Sequence, residues 1–169
     1  NWTPKKHNLE TLHSLAYATG LTRNIGALPS LIRTVDERLI EGEDKDLKDT
    51  RAMIVAVVQG FAPDAQAKDA LERWWADPNF DWKCAQNLFL GLVACSPGNA
   101  ETFLQEFFTR VATHRDYFFD LLGLTTSDVT NLIGADPLEE ILKRYDNEIA
   151  RQMLAYMPVA REILAEVNG

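Results

Sequence analysis

The chain has 169 residues, of which 46% are apolar and 25% charged, a balance typical of one globular domain with a packed core. Lys and Arg number 17 against 25 Asp and Glu, so the net charge is −8, and nucleic acid is not an expected partner because phosphate backbones bind basic surfaces. The longest apolar run is far shorter than the roughly 20 residues of a membrane span, which argues against a membrane protein.

Apolar residues recur at spacings of three and four, and signals for strands are nearly absent. This pattern predicts an all-α fold of eight to nine helices in a single domain, 1–169, arranged as a compact helical stack or an irregular bundle. The first helix is predicted over 9–19, with Asn8 as its N-cap and Gly20 as its stop. A second helix is predicted over 28–41, and the acidic segment 41–49 follows it.

Two of the next four helices are apolar on all sides. They are the third, predicted over 47–59, and the fifth, predicted over 80–95. A helix of this kind is usually buried at the centre of a bundle or stack. The fourth helix, 64–76, ends before Pro78, whose ring disfavours helical geometry in the preceding residue. A sixth helix is predicted over 100–113.

The C-terminal third is predicted to contain two short helices, 117–122 and 126–133, and then one long helix from 137. The start of the long helix is indicated by Asp136-Pro137-Leu138-Glu139, because Asp can cap the free amides, Pro suits the first turn and Glu completes a capping box. We expect this helix to continue as far as Pro158, which should break or kink it.

Two segments, 50–76 and 84–114, look alike. Each combines a buried helix, a turn containing Pro and an amphipathic helix, and an offset of about 34 residues aligns Pro63 with Pro97. Repeats of this length are typical of helical stacks, in which one unit cannot cover its own apolar face and its neighbours do so. We therefore treat 50–76 and 84–114 as candidate repeat units.

The stretch from Ala85-Gln86-Asn87-Leu88 through Ser96-Pro97-Gly98-Asn99 to Phe103-Leu104 resembles the second helix, turn and third helix of an armadillo unit. The segment Gly26-Ala27-Leu28-Pro29-Ser30-Leu31-Ile32 resembles the start of the third helix. The likeness to the armadillo and HEAT superfamily covers about half of the chain. It implies a scaffold that binds another protein or peptide in a groove, and it supplies no catalytic residues.

No metal site or cofactor is expected. Glu10 and His13 have the Glu-x-x-His spacing that places two ligands on one helical face, but di-iron bundles need this motif twice together with two further inward Glu. Cys84 and Cys95 are eleven residues apart within one predicted helix. Their Cα atoms should therefore lie about 16 Å apart, too far for a disulfide. We interpret them as core thiols in a reducing, cytoplasmic setting.

No catalytic residue is assigned, and the pattern leans against an enzyme. The chain has no glycine-rich phosphate loop, and the surroundings of both cysteines are apolar, which does not favour a nucleophile. An enzyme with a carboxylate site stays open as a third hypothesis. It would need a deep acidic cleft, and the candidate carboxylates are Glu101, Glu106, Asp116 and Asp120.

The segment 74–82 is the most distinctive, with three Trp and one Phe in nine residues. Trp74 and Trp75 are about 100° apart on a helix, so we expect them not to share one core and one of them to lie near the surface. Exposed Trp is enriched in binding hot spots, which makes Trp74, Trp75, Phe80 and Trp82 candidate partner-binding residues. In the competing interpretation, the rings close the corner between two packed helices.

The leading hypothesis is therefore a non-enzymatic adaptor or regulatory domain that binds another protein, a peptide or a second copy of itself through an aromatic surface. It is motivated by the repeated buried-helix pattern, the lack of recognisable chemistry and the surplus of aromatic residues. The alternative is a helical domain that encloses a small hydrophobic ligand in a cavity lined by aromatic and Met side chains.

Overall fold

The structure is a computed structural model that describes residues 6–169, with side chains from residue 8 onward. All regular structure in this part of the chain is helical, so the all-α prediction is confirmed. Nine of the α-helices have eight residues or more, and α7 has five. The α-helices are α1 (Lys6–Thr22), α2 (Leu28–Asp36), α3 (Lys45–Gly60), α4 (Ala65–Ala76), α5 (Ala85–Cys95), α6 (Ala100–Val111), α7 (Arg115–Phe119), α8 (Leu122–Ile133), α9 (Ala135–Leu142) and α10 (Glu148–Asn168).

The chain divides into two compact units, residues 1–91 and 92–169. We call them unit 1 and unit 2 and describe each by itself. Helix α5 crosses the division, and so does the candidate repeat unit 84–114. The single domain, the repeat units and the armadillo-like stacking stay predictions.

Unit 1 is organised around α3, which contacts α1, α2, α4 and the short turn of 3₁₀ helix Trp82–Cys84. Its residues Ile54, Val55 and Val58 are fully buried, which confirms that this apolar helix lies in a core. Burying one such side chain contributes about 1.5–3 kcal/mol. The helix begins at an N-cap, Asp44, whose carboxylate accepts a hydrogen bond from the Asp46 N–H.

The first two helices differ in length from the prediction. Helix α1 begins before Asn8 and continues past Gly20. Gly20 does not end the helix but lies against Val57 of α3, where an added Cβ would be 3.3 Å from a Val57 methyl group. The helix ends where Arg23 takes a left-handed φ of 55°. Helix α2 ends at Asp36 instead of residue 41, and Arg38, with φ 56°, turns the chain there.

The fifth helix begins later than predicted. Asp81 accepts a hydrogen bond from the Lys83 N–H and caps the 3₁₀ turn Trp82–Cys84, and only then does α5 start at Ala85. Cys84 and Cys95 therefore do not belong to one continuous α-helix, although they form no disulfide. The apolar run of α5 is buried at Leu88, Phe89 and Val93, as the sequence predicted for this helix.

Unit 2 is organised around α10, which packs against α7, α8 and α9. Gly123 of α8 lies against the Tyr156 ring of α10, and a Cβ at position 123 would be 3.3 Å from that ring. Buried Thr126 and Thr130 donate their hydroxyl hydrogens to backbone carbonyls one turn earlier in α8. This local bonding lets polar side chains lie in the core without an unsatisfied donor.

The predicted long helix from 137 is wrong, because two helices, α9 and α10, occupy this part of the chain. Helix α9 ends at Leu142, and α10 starts only after Asn147. The extended backbone of Asn147 (φ −137°, ψ 162°) interrupts the helical path, and its side chain accepts a hydrogen bond from the Ala150 N–H as the N-cap of α10. Pro158 lies inside α10 instead of ending it. The proline is exposed, and the Leu154 carbonyl one turn earlier loses its amide partner.

The predicted capping box at 136–139 is also wrong. Helix α9 starts at Ala135 without a side-chain cap, after Gly134 with φ 93°. Asp136 and Glu139 both bind Arg161 of α10. The hydrogen bond from Arg161, followed by that from Lys143, lowers the pKa of Glu139. These carboxylates therefore join α9 to α10 rather than capping α9.

None of the helices in the described part of the chain combines the length and the apolar character needed to cross a membrane.

Gly91 of α5 lies against α4, and this contact predicts that alanine substitutions at two glycines of unit 1 have different effects on the free energy of unfolding. A Cβ on Gly91 would lie 2.6 Å from the Cδ1 of Leu71, which is fully buried, so the Leu71 side chain would have to shift within the core. We expect Gly91→Ala to lower the free energy of unfolding by about 1–3 kcal/mol. Urea denaturation followed by circular dichroism measures this change.

Gly60→Ala is the matched control, because an added Cβ at the end of α3 meets nothing within 4 Å. We expect this variant to be unchanged or more stable by about 0.5–1 kcal/mol, since alanine restricts the unfolded chain more than glycine does. Equal effects of the two substitutions would contradict the packing described for Gly91.

Candidate functional site

A cleft of about 720 Å³ opens in unit 1. We call it the cleft throughout. Its walls come from three places: the end of α2 with the turn that follows it, the first half of α3, and the end of α4 with the segment that leads to α5. The lining residues are Val35, Asp36, Arg38, Ile40, Glu41, Gly42, Glu43, Lys48, Arg51, Arg73, Trp74, Asp77, Asn79, Phe80, Asp81, Trp82 and Lys83.

Two stacked rings form part of the wall. The rings of Trp74 and Phe80 are nearly parallel, at an interplanar angle of 16°, and their centroids lie 5.6 Å apart. The Trp74 Nε1–H donates to Asp36 Oδ1 at 2.8 Å, which fixes the indole against the end of α2. Trp74 is only 4% exposed, whereas Phe80 is half-buried. The Phe80 ring is therefore the member of the pair that a ligand can reach.

A buried ion pair holds the two loops of the cleft to α3. Arg51 donates to Asp81 Oδ2 from Nη2 at 2.7 Å and from Nε at 3.2 Å. Its Nη1 donates to the Ile40 carbonyl at 3.0 Å. Both charged side chains are 11% exposed, so water contributes little to their solvation. One guanidinium thus ties α3 to the turn after α2 and to the segment before α5.

The charges of the wall are balanced, with five acidic and five basic side chains among the lining residues. Most of them pair within the wall. Arg73 donates to Asp36 at 2.8 Å and to Asp69 at 3.0 Å, and the bond to Asp36 is the larger cause of the raised pKa of Arg73. Lys48 binds Glu43, and this hydrogen bond lowers the pKa of that carboxylate.

The candidate residues Trp74, Phe80 and Trp82 all line the cleft, whereas Trp75 does not. The expectation that one of the adjacent indoles lies at the surface is wrong, since Trp74 is 4% and Trp75 6% exposed. The expectation assumed that α4 has one covered side, but α4 contacts both α2 and α3. Of the four candidate residues, Phe80 and Trp82 remain accessible to a partner, and both are half-buried. Their partner-binding role stays a prediction.

Three residues on which the cleft depends were missed in the sequence: Asp36, Arg51 and Asp81. A signal for Arg51 existed, because it stands directly before the apolar run of α3, and a charge in a buried helix needs a partner. Nothing local identified the partner, since Asp81 is 30 positions away.

The acidic cleft that an enzyme would need is not formed by its candidate carboxylates. Glu101 binds Arg144 at 2.8 Å and accepts a hydrogen bond from the Tyr145 hydroxyl at 3.1 Å, while Asp116 and Asp120 are exposed on the surface of unit 2. A second, smaller cleft of about 290 Å³ in unit 2 is lined by other residues, among them Phe108 and Glu148. Neither cleft contains Glu101, Glu106, Asp116 or Asp120.

The described side chains do not form a metal-binding cluster, and the surroundings of Cys84 do not favour a nucleophilic thiol. Among the described residues, no group of three or more His, Cys, Asp and Glu side chains could hold a metal ion. Cys84 is fully buried beside the cleft, and burial, followed by the negative charge of Asp81, raises the pKa of its thiol to about 12. The thiolate needed for nucleophilic attack is therefore strongly disfavoured there.

Comparisons of the chain with protein-family models, with curated proteins and with solved structures find no match. The proposal for its function therefore depends on the geometry of the cleft alone.

The three hydrogen bonds of Arg51 predict that lysine cannot replace it without a loss of stability. A lysine ammonium is a compact donor that cannot span Asp81 and the Ile40 carbonyl as the planar guanidinium does. We expect Arg51→Lys to lower the free energy of unfolding by about 2–3 kcal/mol, because a buried acceptor loses its donor. Chemical denaturation measures the change.

Arg33→Lys is the control for this substitution, since Arg33 is 73% exposed and pairs with Glu37 at 3.7 Å. A change within about 0.5 kcal/mol is expected there. If Arg51→Lys is as mild as Arg33→Lys, the ion pair does not have the structural role described.

Proposed function

We propose that the chain is a non-enzymatic adaptor or regulatory module that binds another protein by taking a short segment of it into the cleft of unit 1. The single observation that carries the proposal is a cleft of about 720 Å³ with a prearranged aromatic wall. This volume lies in the range of about 300–1,000 Å³ that is typical of ligand pockets.

The wall is held in position without a ligand. Trp74 is fixed by its hydrogen bond to Asp36 and by the Phe80 ring, and the two loops are tied to α3 by Arg51. A partner therefore meets side chains that are already ordered, which reduces the conformational entropy lost on binding. Within the segment 74–82, Phe80 and Trp82 would contact the partner, and Trp74 would support Phe80 from behind.

The charged side chains of the wall favour a protein segment over a small hydrophobic ligand. An apolar molecule would cover exposed charged groups of the wall, such as Arg38, Glu41 and Lys83, without replacing their hydration, which costs free energy. A peptide brings backbone amides, carbonyls and polar side chains that can hydrogen-bond to such a wall, together with apolar groups for the rings. We assign no cofactor, nucleic acid or membrane to this function, and we keep the cytoplasmic setting as part of the proposal.

Selection from a random library tests the proposal directly. The purified chain is immobilised, and phage displaying random twelve-residue peptides are selected on it, with parallel selection on Trp82→Ala. We expect peptides that bind the wild-type chain and lose at least tenfold in affinity towards Trp82→Ala, because truncating an aromatic hot spot costs more than about 1.4 kcal/mol. Titration calorimetry with the synthetic peptides gives the affinities.

The control is Leu21→Ala, which removes an exposed apolar side chain of the same unit that does not line the cleft. It should bind the selected peptides as the wild-type chain does. Circular dichroism of both variants confirms that they fold. The proposal fails if no peptide distinguishes Trp82→Ala from Leu21→Ala.

A further inference from the structure

The chemistry of the cleft indicates which kind of segment fits it, and this inference rests on the proposed function. The first observation is the accessible ring of Phe80. An aromatic face carries negative partial charge and attracts cations that approach within about 6 Å of its centroid. Trp74 covers the other side of the ring and keeps it in place.

Two residues with carboxylates contact the residues of this stack. Asp36 accepts a hydrogen bond from the Trp74 indole, and the Asp77 carbonyl accepts one from the Phe80 N–H. Asp36 uses Oδ1 for both Trp74 and Arg73, and Asp77 uses Oδ1 for the Asn79 N–H. The second oxygen of each, Oδ2, has no hydrogen-bond partner among the residues that the structure describes. Both residues line the cleft, so unused acceptors lie in the same wall as the aromatic ring.

Seven of residues 36–49 line the cleft, and we call this segment the acidic rim. It carries excess negative charge, whereas the lining residues of the cleft as a set are balanced. Residues 36–49, which supply one loop of the cleft and the start of α3, contain seven acidic and three basic residues, a net charge of −4. The chain as a whole has a net charge of −8. This distribution attracts a positively charged segment and repels an acidic one.

The cations of the wall itself already make both types of contact. The Lys83 ammonium lies 5.6 Å from the centroid of the Trp82 ring, and the Arg73 guanidinium binds the Asp36 carboxylate. The rings and carboxylates of the cleft are therefore suited to bind ammonium and guanidinium groups.

We propose that the cleft recognises a basic segment of its partner and places one Arg or Lys side chain against the Phe80 ring, within reach of Asp36 and Asp77. The flanking positive charges of the segment face the acidic rim at 36–49. Binding then depends on aromatic–cation contact, on carboxylate hydrogen bonds and on long-range attraction.

Three variants of the chain separate these contributions when they are titrated with the peptides selected above. Asp77→Asn removes a charge but keeps an oxygen for the Asn79 N–H, and we expect it to weaken binding about tenfold. Phe80→Leu keeps an apolar side chain but removes the aromatic face, and about a fivefold loss is expected. Glu72→Gln removes an exposed charge of α4 outside the cleft lining and should leave the affinity within twofold.

Substitutions in the selected peptides test the same contacts from the side of the partner. Replacement of the single most sensitive Arg or Lys by Gln should weaken binding about tenfold to the wild-type chain and much less to Asp77→Asn. The affinity should also fall as NaCl is raised from about 50 to 300 mM, because salt screens the attraction to the rim.

The outcomes distinguish this inference from the proposed function. If peptides depend on Trp82 but contain no essential Arg or Lys, or tolerate Asp77→Asn, the inference of a basic segment is wrong while the protein-binding cleft stands. If no peptide depends on Trp82, both are wrong. Peptides that need Trp82, Asp77 and a basic residue support both.

Discussion

The buried guanidinium of Arg51 is the constraint on which the rest of unit 1 depends. It stands directly before the apolar run of α3, where an unpaired charge would cost several kcal/mol, and it is stabilised when Asp81 and the Ile40 carbonyl are both in place. These two partners belong to different loops. The folding of the core helix and the position of the loops are therefore coupled, and both loops line the cleft.

The properties of the cleft follow from this coupling. The loop that carries Asp81 also carries Phe80 and Trp82, so the pair that fixes the backbone also positions the aromatic wall. Asp36 then holds Trp74, and Trp74 supports Phe80. Each contact restricts the next side chain, which produces a site that is ordered before any partner arrives. The proposed protein-binding function and the proposed preference for a basic segment both use this ordered wall.

The sequence was sufficient to predict what depends on local pattern. Apolar spacing predicted the all-α class and the burial of α3 and α5. The prediction was wrong where tertiary contacts decide: Gly20 packs against Val57 instead of ending α1, and Asp136 binds Arg161 instead of capping a helix. Asn is a preferred N-cap, so Asn147 carried a local signal for the start of α10, but it lay inside the predicted long helix. For the site, the aromatic segment 74–82 was recognised, whereas the partnership of Arg51 with Asp81 joins residues 30 positions apart.

Hydrogen–deuterium exchange on Arg51→Met tests most directly whether this ion pair positions the cleft. Methionine keeps a long side chain but removes the charge and the donors. We expect the amides of Leu39, Glu41, Phe80 and Cys84, which are hydrogen-bonded within the two loops, to exchange at least about tenfold faster, while the amides of 53–60 in α3 keep their protection. Unchanged exchange in both loops, or an equal loss of protection throughout α3, would contradict the account.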